Sequence, residues 1–181
     1  NLQITVLNNG NDAFNNKQYD QAIADYALSA RVAKAFNEVD SNAVYNSALA
    51  NEAKGDTATA MQRYQECISI GYDKPEIYRH LAGLQKRKGD LDGAIATSKA
   101  GLARYPDNKE IMLDVVAFLL DANRTEEAET AVKAAIDKAP DNPMFYYVLG
   151  KRDDAKANPA EGKISEADMI KWYDLAEASY K

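Results

Sequence analysis

One histidine, His80, and one cysteine, Cys67, bound the chemistry available to this chain of 181 residues. A zinc site draws its ligands mainly from Cys and His, and a thiol nucleophile needs a base beside it. A lone pair of such residues, placed on two different predicted helices with Cys67 on a buried face, supplies neither. Gly89-Asp90 and Gly93 lack the spacing with which a glycine-rich loop cradles pyrophosphate. Asp153, Asp154 and Glu161 lack the alternating acids and central glycine of a calcium loop and read as a solvated loop. Tyr146, Tyr147, Trp172 and Tyr173 could form a ligand platform, but they read as packing around an irregular stretch. No catalytic residue, no metal ligand and no cofactor is expected.

Binding chemistry is better represented. Gln85-Lys86-Arg87-Lys88, with Arg79 before it, is the dense basic cluster of a chain whose formal net charge is -6. It reads as a solvated helix end, where cations complement the negative end of the helix dipole, with the holding of an acidic peptide as the alternative. The acidic balance argues against nucleic acid, since neutralising phosphates needs a surplus of Lys and Arg. The apolar run from Ile111 to Leu120 is broken by Asp114 and falls short of the ~20 residues of a membrane span, so no membrane insertion is expected.

The elements that must position these residues repeat. Ala60, Ala94 and Ala128 are 34 residues apart, as are Ile68, Leu102 and Ile136. Val44, Tyr78, Met112 and Tyr146 keep the same step, as do Leu81, Val115 and Leu149. Ala22 and Tyr26 precede Ala60 and Tyr64 by 38, which predicts a first connection about four residues longer than the rest. Within the third copy, Ile77, Tyr78, Leu81, Ala82 and Leu84 recur at helical spacing, Gly89-Asp90 punctuates, and Leu91, Ala94, Ile95 and Leu102 open a second apolar face. Pro106 closes the unit, because proline cannot continue a helix interior. Ala82 and Ala94 are small where paired helices must approach to ~8–10 Å between axes. Cys67, aligned with Gly101 and Ala135, reads as another such packing position.

These residues resemble the tetratricopeptide repeat family, whose unit is a helix-turn-helix of about 34 residues. The third copy carries the pattern in Tyr78-x-x-Leu81-Ala82, Gly89-Asp90-Leu91-x-x-Ala94-Ile95 and Pro106. The first copy carries it in Gly10-Asn11-Asp12-Ala13-Phe14 and Tyr19-Asp20-Gln21-Ala22-Ile23. The second departs at Ser47 and Thr57, and the fourth replaces the turn glycine by Asn123 and the following aromatic by Thr125. The resemblance implies an all-α, right-handed superhelical solenoid of about five antiparallel helix pairs. One array over 1–181 is expected, with approximate repeats 3–40, 41–74, 75–108, 109–142 and 143–181. In the last, the counterpart of Ala128 falls at residue 162 while Ala176 fills the role, so an insertion of fourteen residues is predicted. The chain reaches Lys181 in mid-helix on this reading, and the array is expected to continue beyond it, since solenoids need a polar capping repeat.

Stacked repeats place their first helices along a concave groove. By register, that groove presents Asn11, Tyr45, Arg79, Lys86, Arg87, Leu113 and Tyr147, together with Leu7, Phe14, Asn42, Leu49, Glu76 and Leu120. Leu7, Leu113 and Leu120 have packing against neighbouring helices as their other reading. A mixed apolar and charged face suits an extended peptide or a partner helix. Some family members grip a partner's C-terminal carboxylate with two Asn and three Lys or Arg. Asn11 and Asn46 stand in the asparagine places here, but the others hold Leu7, Glu76 and His80, so the resemblance does not extend to that chaperone-type clamp. The expected function is a protein-interaction scaffold, with a self-assembling module or the docking arm of a longer protein as alternatives. Exported and cytoplasmic locations are both compatible with the sequence.

Overall fold

A computed structural model describes residues 2–140, 142, 143 and 145. Eight α-helices and no strand lie among them: α1 (Leu2–Asn15), α2 (Tyr19–Ala35), α3 (Ser41–Lys54), α4 (Thr57–Ser69), α5 (Glu76–Arg87), α6 (Leu91–Arg104), α7 (Lys109–Asp121) and α8 (Thr125–Lys138). The all-α helix-pair architecture expected of the superhelical solenoid is therefore the one observed. The chain divides into two compact units, Asn1–Thr97 and Ser98–Lys181. The inserted stretch of the fifth copy, Tyr147 and the predicted mid-helix end at Lys181 lie outside the described residues.

Local chemistry sets the helix ends. Asp40, Asp56 and Asn108 precede α3, α4 and α7, and each side chain accepts from the backbone N–H three residues on, at 3.0, 3.1 and 2.9 Å. Such caps satisfy amides that the first turn leaves without a partner. The turn inside each pair needs one left-handed residue. Gly55 and Gly89 take it at φ 90° and 81°, Lys17 and Asn123 at 60° and 56°. Asn123 thus fills the place of the missing turn glycine, since asparagine tolerates this conformation better than most residues.

The four extra residues of the first copy are in the helix rather than in the connection. α2 has 17 residues against 13 in α4 and 14 in both α6 and α8. Ala33, on the added turn, is fully buried, so extending the helix covers apolar surface that a longer loop would have left in water.

In the first unit, Val44, Ala48, Ala60, Tyr64, Cys67, Ile77, Leu81 and Leu84 form one core cluster, and Ala13, Ala22, Tyr26, Ala43 and Ala50 another. In the second unit, Met112, Val116, Val132, Ala135, Ala139 and Phe145 pack together. The alanines at the 34-residue step, Ala60, Ala94 and Ala128, are buried, as is Ala22. Cys67 is fully buried, and burial pushes its thiol up to about 12, which leaves it inert.

Gly10 occupies the small position one step before Ala48 and Ala82 in the neighbouring copies. A Cβ there would stand 2.7 Å from Cε1 and 2.8 Å from Cδ1 of Tyr26, a ring only 2% exposed. Gly10→Ala is expected to destabilise the fold by about 1 kcal/mol in urea unfolding: overpacking costs ~1–3, and the helix preference for alanine returns up to ~1. A stabilised variant would mean that the ring gives way freely.

Candidate functional site

The helical step of three and four puts Asn42, Tyr45, Asn46, Leu49 and Glu52 on one side of α3. Its neighbours in the first unit contribute Asn11, Phe14 and Asn15 from α1, and Glu76, Arg79, His80, Gly83 and Arg87 from α5. Two clefts open on this face. One, of about 260 Å³, is lined by Asn11, Phe14, Asn15, Tyr26, Asn46 and Leu49. The other, of about 220 Å³, is lined by Glu52, Glu76, Arg79, His80, Gly83 and Arg87.

The first cleft is floored by a carboxamide relay. Asn46 donates from Nδ2 to Asn11 Oδ1 at 2.9 Å, and the hydroxyl of Tyr26 donates to the same oxygen at 3.0 Å. Asn11 is thereby held with its oxygen inward. Burial, then the neighbouring Asp25 carboxylate, push the Tyr26 phenol up to about 12, so it remains a donor at any physiological pH.

The second cleft is organised around Glu52. Its Oε2 accepts from the Tyr64 hydroxyl at 2.8 Å and lies 3.1 Å from His80 Nδ1, while Arg87 Nη2 donates to Oε1 at 2.7 Å. The His80 ring stacks on Tyr64, with centroids 5.2 Å apart and planes 9° from parallel. The hydrogen bond with His80, against burial and with help from Arg87 and Tyr64, holds the Glu52 carboxyl down at about 2. Three side chains from α4 and α5 thus converge on a half-buried anion of α3.

Tyr45 packs obliquely on Tyr72, with ring centroids 5.8 Å apart. The Lys74 ammonium sits 5.1 Å from the Tyr45 centroid and 5.7 Å from that of Tyr72, within reach of both ring faces. Burial first, and Glu76 second, raise the Tyr45 phenol above its ordinary value.

Of the residues expected in the groove, Asn11, Tyr45, Arg79 and Arg87 share this face, and Lys86 is exposed on the last turn of α5. Arg87 is already engaged by Glu52, which changes its meaning from a vacant anion receptor to part of a fixed network. Leu113, on α7 of the second unit, is half-buried and packs against the cluster around Met112 and Val132. Leu7 likewise packs against the core of its own unit, and Leu120 is 37% exposed. Glu52 was not singled out from the sequence, although it stands seven residues after Tyr45 and three after Leu49, on the same helical stripe. Tyr72 and Lys74 were also missed, since they lie in the connection before α5, where helical register says nothing.

A family model described as tetratricopeptide repeat matches residues 87–152. Among solved structures, YrrB, described as a TPR protein with an unusual peptide-binding site, superposes with a TM-score of 0.67 at 14% identity, over 94% of this chain and 84% of YrrB. The MamA protein gives 0.72 at 13% identity, covering 97% of this chain and 90% of MamA. MamA from Desulfovibrio magneticus RS-1 gives 0.71 at 14% identity, covering 98% and 97%. At such identities the likeness is one of fold. The comparison with curated proteins gives no match. No helix among the described residues is long and apolar enough to cross a membrane.

Proposed function

The chain is a tetratricopeptide repeat protein, and from that premise we propose that it is a non-catalytic scaffold holding an extended peptide of a partner protein across α1, α3 and α5. The fold is one used for protein-interaction scaffolds, which supports a protein or peptide partner in general terms. The observation that carries the finer reading is the carboxamide relay of Asn11 and Asn46 beside the apolar walls of Phe14 and Leu49. Carboxamides offer a donor and an acceptor together, matching the paired C=O and N–H of an extended backbone, while apolar walls accept a side chain. YrrB, with the same fold, is described as binding peptide, which agrees with this use of the architecture.

In this reading Tyr45 and Leu49 are the apolar anchors, Asn11 and Asn46 align the peptide backbone, Arg79 and Lys86 set its direction, and Arg87, paired with Glu52, braces the wall of the second cleft. The carboxylate-clamp mode remains outside the proposal, because Glu76 and the Glu52 network place carboxylates where a terminal carboxylate would need cations.

The test is selection of linear peptides from a random display library against the full chain, followed by fluorescence anisotropy. Tyr45→Ala and Asn46→Ala are each expected to weaken the selected peptides about tenfold, the loss of ~1–2 kcal/mol from one anchor or one buried hydrogen bond. Peptides that bind both variants as tightly as the parent would place the site elsewhere.

A further inference from the structure

The opposite side of α3 carries a second opening, of about 350 Å³, between α2 and α4. Its origin is legible in the repeat register. Ala30 stands where the other copies have Ile68, Leu102 and Ile136, and Ala43 stands where they have Ile77 and Ile111. Ser47 stands where they have Leu81 and Val115. All three truncated positions line the same groove. The equivalent groove of the second unit is lined by Leu102, Met112 and Val115 and measures about 150 Å³. Three large side chains that the repeat ordinarily supplies to itself are therefore missing here, and the space remains open.

Arg31, Lys34 and Arg63 stand along this groove with a single carboxylate, Glu66. Glu66 accepts from Arg63 at 2.7 Å. Arg31 and Lys34 are exposed and meet no carboxylate among the described residues. A cationic rim on a chain of net charge -6 is a local inversion of its field.

We infer that this groove is a second docking site, for an amphipathic helix of a partner protein that inserts a Leu, Ile, Met or Phe side chain into the space left by Ala30 and Ser47 and presents Asp or Glu to Arg31 and Lys34. A helix lying between two helices seats its apolar stripe in the intervening groove, and acids on the flanks of that stripe reach the rim. The site is on the other side of α3 from the Asn11 and Asn46 cleft, so its failure leaves the peptide proposal untouched.

The probe is a synthetic 18-residue helical peptide with leucines on one stripe and glutamates beside it, titrated into the full chain by isothermal calorimetry. A control peptide carries lysine in place of every glutamate. The glutamate peptide is expected to bind more tightly than the lysine peptide, even though the acidic chain as a whole favours the latter. Ala30→Leu, which restores the residue type of the other copies, is expected to weaken the glutamate peptide at least tenfold while the melting temperature stays level or rises. The Arg31→Glu/Lys34→Glu pair, which leaves the space open, is expected to weaken the glutamate peptide about tenfold and to strengthen the lysine peptide. Equal binding of the glutamate peptide to the parent and to Ala30→Leu would overturn the proposal, as would preference of the parent for the lysine peptide. A concentration-dependent dimer of the chain that Ala30→Leu abolishes would overturn it in favour of a second copy as the occupant.

Discussion

Glu52→Gln is expected to lower the unfolding free energy at pH 7 by about 2–3 kcal/mol, and the gap between the two proteins is expected to close as the pH falls. The carboxyl is held at about 2 in the folded chain against an ordinary value of 4.5. The unfolded chain therefore takes up this proton first on acidification. The stabilisation is complete above about pH 4.5 and is lost as the pH falls towards 2. Each pH unit of separation is worth ~1.4 kcal/mol, and the partial exposure of the group trims the total. Glutamine keeps the shape and removes the anion, so it loses charge-assisted bonds to Arg87 and Tyr64 that are roughly twice as strong as neutral ones. Urea unfolding at pH 7, 4 and 2.5 measures the effect. A gap that stayed constant over this range would show that Glu52 contributes packing and not charge. Because the same network supports His80 and Arg87, the variant also asks whether the second cleft needs a rigid wall. In the proposed binding mode, peptide affinity falls together with stability.

Asp40→Ala is expected to cost a comparable 2–3 kcal/mol, through a different cause. Asp40 Oδ1 caps α3 by accepting from the Ala43 amide at 3.0 Å. Its Oδ2 accepts from the Ser29 hydroxyl at 2.7 Å and from the Gln3 amide at 3.1 Å. One residue, 6% exposed, thus joins α1, α2 and α3. Burial works against its ionised form, but the bonds from Ser29, Ala43, Gln3 and Asn42 outweigh it and hold the carboxyl below its ordinary value. Losing the cap costs ~1 kcal/mol, and losing the short bond to the carboxylate, which leaves the buried Ser29 hydroxyl only the longer one to the Gln3 carbonyl at 3.2 Å, costs ~1–2 more. Asp40→Ser, which can still cap α3 but does not reach Ser29, is expected to recover about half of the loss. If Asp40→Ser matched the parent, the link to α2 would contribute nothing. Thermal and urea unfolding of the three proteins decides between these outcomes.

The 34-residue step from Val44 onward was sufficient to read helix pairs, their turn positions and their buried alanines, because each repeat obeys one packing rule and a short chain segment carries it. Register also placed Asn11, Tyr45, Arg79 and Arg87 on one face. It could not say which of them were spent. Whether Arg87 is a vacant cation or the partner of Glu52 depends on residues 35 positions apart meeting across two helices. The same holds for His80 on Tyr64 and for Lys74 over Tyr45, contacts that no local periodicity encodes.

The first copy shows the division most clearly. Four added residues, and side chains at Ala30, Ala43 and Ser47 smaller than their counterparts, are legible in the chain alone. That the added residues extend α2, where they bury Ala33, and that the three small side chains converge on one groove follows from how the helices pack. Covalent neighbours and helical period are properties of the chain, whereas the solvation of a side chain and the space beside it are set by whatever other segments fold against it.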